Sequence, residues 1–238
     1  MSELIKKIKS KSKDSFGDTK WVYNPKNDKK SMILNWFSKL PKGSKILEAG
    51  CGAGNYVVSL AKLGHKPIGL EIDGERVKIA KKYMEEYGLS KNIIFEGNLT
   101  KIPFKDEEFD AIFCHGVIEH IPDSEAAVRE MTRVLKKGGY AMISVPNRYT
   151  SFTISKVLLQ TVDNIFKTKL WNVGYEKSFP QWRFKKMLSR HLKIVEFRKR
   201  EVQPGTTFPI YGKILRALDK PLWILGIGGG WLYAWCRK

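Results

Sequence analysis

The segment Glu48-Ala49-Gly50-Cys51-Gly52-Ala53-Gly54 closes a short apolar run, Lys45 to Ala49, and leads into helically spaced residues from about Asn55 to Leu63. A strand that ends in closely spaced glycines and turns straight into a helix lets the backbone approach a ligand, because no Cβ stands in the way. Such a turn belongs to βαβ architecture, so the rest of the chain is expected to continue the alternation.

It does so. Pro67 to Ile72 reads as a second strand, and Asp73 can cap a helix that carries Val77, Ala80, Tyr83, Met84 and Tyr87 on one face and stops at Gly88. Asn92 to Glu96 and Phe109 to His115 are strands three and four. A helix from about Ser124 to Lys136 turns Ala127, Val128, Met131, Val134 and Leu135 inward, with Gly138-Gly139 past its end, and Tyr140 to Val145 is the fifth strand. Strands alternating with helices at this interval build a parallel, doubly wound sheet. Before it, Ser31 to Leu40 has helical spacing that Pro41-Lys42-Gly43 stops. After Asn147 the rhythm loosens: Ser155 to Phe166 and Gln181 to His191 read as helices, Leu192 to Val202 and Trp231 to Cys236 as strands. That order gives an appended antiparallel pair with an insertion between its members. The expected fold is α/β and Rossmann-like: a seven-stranded, mostly parallel sheet, helices on both faces, a helical N-terminal arm and a C-terminal insertion. Three segments make up this single domain. Residues 1–45 form a basic arm, 46–147 the ligand-binding core, and 148–238 the completion of the sheet with an acceptor-side cap.

Charge follows the same division. The 238 residues carry a net +19. Residues 1–45 hold 12 basic and 4 acidic side chains, residues 46–147 hold 13 and 15, and residues 148–238 hold 18 and 5. A near-neutral core between basic flanks suits an anionic partner, either a membrane surface or a nucleic acid, or else a Lys-rich solvated surface with no partner. Three widely separated cysteines, Cys51, Cys114 and Cys236, follow no disulfide or metal-ligand spacing. With no apolar segment of signal-peptide length near the start, the expected setting is cytoplasmic, with a peripheral membrane position open.

Glycine spacing alone would also suit a dinucleotide-binding dehydrogenase. Two acids argue otherwise. Glu48 lies two residues before the first glycine, where a dinucleotide's pyrophosphate would be repelled, and Glu71 stands at the end of the second strand, placed to accept from both hydroxyls of a ribose. With the blocks ILEAGCGAGN (46–55), GLEID (69–73), GNLTKIPF (97–104), FDAIFCHGVIEHIPD (109–123) and LKKGGYAMISVPN (135–147) in this order, the chain resembles the class I S-adenosylmethionine-dependent methyltransferases, in particular their small-molecule, ubiquinone-menaquinone-type branch.

The resemblance covers about residues 30–147 and implies S-adenosylmethionine as cofactor. Glu48 with the backbone of Gly50 and Gly52, in the turn that Gly54 completes, would hold its amino-acid end. Glu71 would bind the ribose, and Ile72 would border the adenine. Asn98, where many relatives have Asp, would meet the adenine edge together with the backbone of Leu99, its amide still able to accept from the adenine amino group. The carbonyl near His115 would face the methionine portion. The ubiquinone-pathway O-methyltransferases, which the Glu119-His120 pair resembles, carry a further Glu where this chain has Gly116; no metal is therefore expected.

Methyl transfer needs in-line alignment and, for an oxygen or nitrogen acceptor, a base. His120, just past the fourth strand, could be that base, or with Glu119 it could only shape the loop. The expected acceptor is an apolar small molecule or lipid-like compound, methylated on oxygen before nitrogen or carbon. RNA methylation and non-catalytic S-adenosylmethionine binding are the alternatives. An RNA acceptor ranks lower because no Asn-Pro-Pro-Tyr-like block follows the fourth strand. Acceptor choice would rest with Tyr149 to Trp171 and Pro204 to Cys236. The last 16 uncharged residues, Pro221 to Cys236, are too short to span a bilayer. They read either as a buried terminal strand preceded by packed residues, or, for Pro204 to Gly228, as a segment at a bilayer interface.

Overall fold

The computed structural model describes residues 32–150, 177–200, 221, 224, 225 and 229–238. Helix α1 (Met32–Phe37) precedes β1 (Lys45–Ala49), α2 (Asn55–Lys62), β2 (Lys66–Glu71), α3 (Gly74–Glu86), β3 (Ile94–Glu96), β4 (Phe109–His115), α4 (Ser124–Val134) and β5 (Leu135–Pro146). Helix α5 (Gln181–Ser189), β6 (Lys193–Arg200) and β7 (Trp231–Arg237) complete the described chain. The seven strands form one sheet in the order β3-β2-β1-β4-β5-β7-β6. β1 to β5 pair in parallel, and β7 runs antiparallel to both its neighbours, β5 and β6. The expected Rossmann-like sheet is therefore present, with one reversed strand near its far edge. The basic arm up to Ser31, the helix expected over 155–166 and most of Pro204 to Gly228 lie outside the described residues.

Alternation along β1 decides which helices cover which face. Leu47 and Ala49 face a core shared with Ile112, Cys114, Ile143 and Val145 and covered by Val128, Met131, Phe184 and Leu188 of α4 and α5. Ile46 faces the other way, with Phe113, Met142 and Trp235, under Trp36 and Phe37 of α1 and Leu60 of α2. Val77, Ala80 and Met84 of α3 pack on Val57 and Val58 of α2. The apolar faces are the amphipathic stripes expected from the sequence, except that Tyr87, expected on the inner face of α3, caps its end and is exposed. Caps follow as well: Asp73 accepts from the amides of Glu75 and Arg76, and Asp123 from that of Ala126.

Some boundaries differ. The fourth helix ends at Val134, two residues short of the expected Lys136, and β5 starts at Leu135 instead of Tyr140. Leu135 pairs with Phe109, then the register jumps so that Tyr140 pairs with Ala111. Gly138, at φ +74°, and Gly139, whose added Cβ would stand 2.9 Å from the Asp110 carbonyl oxygen, accommodate that irregularity. A short 3-10 turn, Lys91–Ile93, takes the first residues expected for β3.

One side chain ties the β3–β4 connection down. Arg133 of α4 donates to the carbonyl oxygens of Ile102 and Phe104, to both Glu130 oxygens and to Asp106. Glu130 in turn accepts from the Ile102 amide. Charge-assisted bonds of this kind contribute more than neutral ones. Arg133→Ala is expected to cost about 2 kcal/mol, read as a lower urea midpoint with an unchanged slope; a midpoint equal to wild type would show the network to be dispensable.

Candidate active site

The chain runs from β1 outward to β3, then returns to β4 on the other side of β1. At such a reversal the two adjacent strands send their following loops in opposite directions, leaving a crevice at their carboxyl ends. β1 ends there in Glu48 and the glycine turn, β2 in Glu71 and Ile72, and β4 in His115 and Gly116. The residues singled out in the sequence therefore meet along one edge. A shallow groove lined by Lys42, Gly43, Asp110, Lys136 and Tyr140 lies at the opposite, amino edge of the sheet and is remote from them.

Each glycine of the turn has its own constraint. Gly50 (φ +81°) lies against Val117: a Cβ there would come within 2.5 and 2.6 Å of the two Val117 methyl carbons. Gly54 (φ +85°) caps α2 and would meet Met84 at 2.7 Å. Gly52 (φ +52°) is different, since an added Cβ would find nothing within 4 Å. The first and last glycines are needed by the protein's own packing. The middle one fronts open space.

Two carboxylates flank that space. Glu48 is buried, and its Oε2 has no hydrogen-bond partner among the described residues. Burial holds its carboxyl well above the usual carboxylate range, the Val57 amide pulling it down and Glu71 pushing it further up. An orphaned buried carboxylate oxygen is costly unless something cationic completes it. Glu71 is also buried, but satisfied: Oε2 accepts from the Gly52 amide (2.8 Å), and Oε1 from the amides of Ile72 (2.9 Å) and Asp73 (3.1 Å). A carboxylate offers about four lone-pair sites, so Glu71 is as much the clasp of the glycine turn as a ligand group.

Next to Glu71, Ile72 leaves its apolar side chain 64% exposed. Asn98 is exposed and Leu99 buried. Asn98 Oδ1 already accepts from the Thr100 amide (2.9 Å) and hydroxyl (3.0 Å). The carbonyl expected to accept from an adenine amino group is thus engaged in the turn, which leaves Nδ2, a donor, as the other polar end of this exposed side chain.

On the β4 side the ring of His115 is set among Tyr56, Phe113, Trp231 and Tyr233, with centroids 6.1, 6.2, 4.8 and 5.8 Å away. Its Nδ1 is hydrogen-bonded to the hydroxyl of Ser144, its register partner on β5. Burial holds the imidazole down at about 4, so it is neutral at physiological pH. His120 ends the 3-10 turn Ile118–His120 and is exposed, while Glu119 beside it is buried. Among the described residues no group of three or more His, Cys, Asp or Glu is placed to hold a metal. Tyr56, Val117 and Ser144 were not singled out in the sequence. Tyr56 follows the glycine turn by two residues, and Ser144 shares a face with His115 only through the β4–β5 register, which no local pattern announces.

Comparison with known proteins places residues 47–143 in a family described as a methyltransferase domain. The chain is 28% identical over 136 residues to the ubiquinone biosynthesis O-methyltransferase of Pseudomonas fluorescens, covering 55% of this chain and 57% of that one. To the protein of the same name from Xanthomonas axonopodis it is 32% identical over 108 residues, 45% of each. The chain thus spans about half the length of the curated relatives it matches. Among solved structures, an S-adenosylmethionine-dependent methyltransferase from Methanosarcina mazei superposes with a TM-score of 0.64 at 18% identity, over 92% of this chain and 99% of the other. The cyclase SpnF superposes with a TM-score of 0.60 at 16% identity, over 86% and 79%. Likeness at these identities establishes the fold and leaves the reaction to the site.

Proposed function

We propose that this chain, whose residues 47–143 match a methyltransferase domain, uses S-adenosylmethionine to methylate an oxygen atom of an apolar small-molecule or lipid-like acceptor. The observation that carries the reading is the open space in front of Gly52, in the turn between Glu48, whose buried Oε2 lacks a partner among the described residues, and the β2 end that carries the exposed Ile72. Oxygen is favoured because the curated relatives are named as O-methyltransferases.

S-adenosylmethionine, when bound, supplies a methyl carbon already activated by a sulfonium. The protein's work is then to bind, align and exclude water. Glu48 Oε2 accepts from the ammonium of the donor's amino-acid end, which completes an otherwise orphaned oxygen. The Gly50 and Gly52 backbone lies along that end. Glu71, fixed by three amides, offers its remaining lone pair to the ribose, and Ile72 covers one face of the adenine. Nδ2 of Asn98 and the Leu99 amide donate to its edge. On the other side, the carbonyl of His115 and the rings of Tyr56 and Trp231 border the place where an acceptor meets the methyl group, an apolar frame suited to an apolar acceptor.

An acceptor hydroxyl must lose its proton. His120, at the carboxyl end of β4 and open to solvent, takes it and passes it to water, while the neutral His115 keeps its ring fixed through Ser144. His120→Ala is expected to lower kcat about a hundredfold, with the apparent KM for the donor unchanged. A kcat within a few fold of wild type would remove His120 from the chemistry.

Incubation with methyl-labelled donor and fractionated lipid, small-metabolite and RNA extracts tests the reading as a whole. Label is expected in the lipid or small-metabolite fraction. Label confined to RNA would assign the basic flanks to an RNA methyltransferase. Donor binding with no labelled fraction would leave a non-catalytic binding protein.

A further inference from the structure

The carboxyl edge of the sheet continues past the site to Asn147, where three stretches of chain converge. Asn147 donates from its backbone to Gly230 and from Nδ2 to Gly229, the Phe179 amide donates to Pro146, and that of Arg148 donates to Phe179. Arg148, Tyr149 and the first turn of α5, with Trp182 and Arg183, are thereby brought to the same edge, a few residues from Ile224 and Leu225. These side chains are outward: Trp182 is 64% exposed, Ile224 75% and Leu225 70%. Single exposed apolar residues are ordinary; large ones left outward on stretches that lead into one edge, with cations on the same stretches, mark a candidate interaction surface.

Charge on the same elements is one-sided. Residues 177–200 contain nine basic side chains and one acidic, Glu196. Glu196 is occupied by Trp36 and Arg198. The cations crowd one another: Lys177 is held below the usual lysine range by burial and by Arg183, and Lys199 by burial and by Lys185. Like charges kept this close, in a segment where cations outnumber carboxylates nine to one, suit an extended anionic surface. Lys186 lies one helical turn from Trp182 and, like Arg183, is exposed.

We propose that this edge rests on an anionic lipid bilayer, with Trp182 and Tyr149 at headgroup depth, Ile224 and Leu225 among the acyl chains, and Arg148, Arg183 and Lys186 against headgroup phosphates. Aromatic tips beside Lys and Arg are the side chains that settle at that boundary. The most exposed apolar groups are aliphatic and have no π-face on which a nucleobase could stack, which sets a nucleic acid behind a membrane as occupant. No described helix is long and apolar enough to cross a membrane. The inference deepens the reading of a lipid-like acceptor, because it turns the mouth of the site toward the bilayer. It is tested without turnover, so it can fail while methyl transfer stands.

Co-sedimentation of the full chain with vesicles of phosphatidylcholine alone, and of phosphatidylcholine mixed with phosphatidylglycerol, provides the measurement. Binding to the anionic vesicles only, weakening as salt is raised, is expected. The double variant Arg183→Glu/Lys186→Glu should lower the partition coefficient more than tenfold, and Trp182→Ser severalfold. Melting temperature and S-adenosylmethionine affinity should not change in either. Wild-type chain that stays in solution at low salt, variants that sediment like wild type, or displacement from the vesicles by equimolar single-stranded RNA would each overturn the proposal.

Discussion

Gly52→Val is expected to weaken S-adenosylmethionine binding more than a hundredfold, a loss of about 2.7 kcal/mol, while the chain stays folded. The asymmetry comes from the glycine turn itself. A Cβ at position 52 meets nothing of the protein within 4 Å, so the branched side chain enters the space assigned to the donor. The left-handed backbone at φ +52° costs a non-glycine residue about 1–2 kcal/mol, seen as a fall in melting temperature of roughly 2–8 °C. Gly50→Val is the contrast. There the new side chain collides with Val117 at 2.5 Å under a φ of +81°, and the variant should fail to fold at all. Calorimetry on Gly52→Val decides the matter. Affinity within a few fold of wild type would mean that the donor lies elsewhere.

Glu48→Gln should move stability and binding in opposite directions. Burial, reinforced by Glu71, holds the Glu48 carboxyl well above its ordinary range. A carboxyl with a higher pKa in the folded than in the unfolded chain stabilises the fold below its unfolded pKa, and that contribution is lost as pH rises through the folded value. The donor-free wild type is therefore expected to lose stability as pH climbs, whereas the glutamine variant has no charge to bury. A gain of about 0.5–2 kcal/mol for the variant at the alkaline end is a typical size for relieving a functional residue. Binding behaves in reverse. The donor's ammonium needs the ionised carboxylate, so wild-type affinity should rise with pH over the same window. The variant should bind at least tenfold more weakly at its top and show no such rise. Melting curves with and without donor, taken across pH, report both effects. A glutamine variant less stable than wild type throughout would mean that Glu48 is a structural acceptor and not a ligand group.

Most of the fold was legible before any coordinate. Strand-helix alternation, the caps at Asp73 and Asp123 and the stripes on α3 and α4 are local signals, each set by neighbours within one or two turns. The misplaced end of α4 shows where such signals stop: Leu135 looks helical in its own context, and only pairing with Phe109 draws it into β5. Glu71 shows the same limit at the site. Its position pointed to a ribose, but that it also clasps Gly52, Ile72 and Asp73 depends on how β1 and β2 end side by side. Glu71→Lys would consequently dismantle the turn as well as the binding group, which makes Gly52→Val the cleaner probe.

The glycine turn, the acids on either side of it and the later sequence blocks, by themselves, pointed to a methyltransferase fold and to S-adenosylmethionine as donor, because binding a backbone-hugging ligand demands fixed residue types at fixed short spacings. What the three glycines do individually was decided only in three dimensions. Gly50 answers to Val117 and Gly54 to Met84, residues 67 and 30 positions away, and Gly52 alone faces emptiness. The same holds for the neutral His115 on Ser144 and for the cationic, apolar rim around Asn147. These arise where strands and loops distant in sequence are laid edge to edge, and contacts of that kind leave no periodicity in the chain to be read.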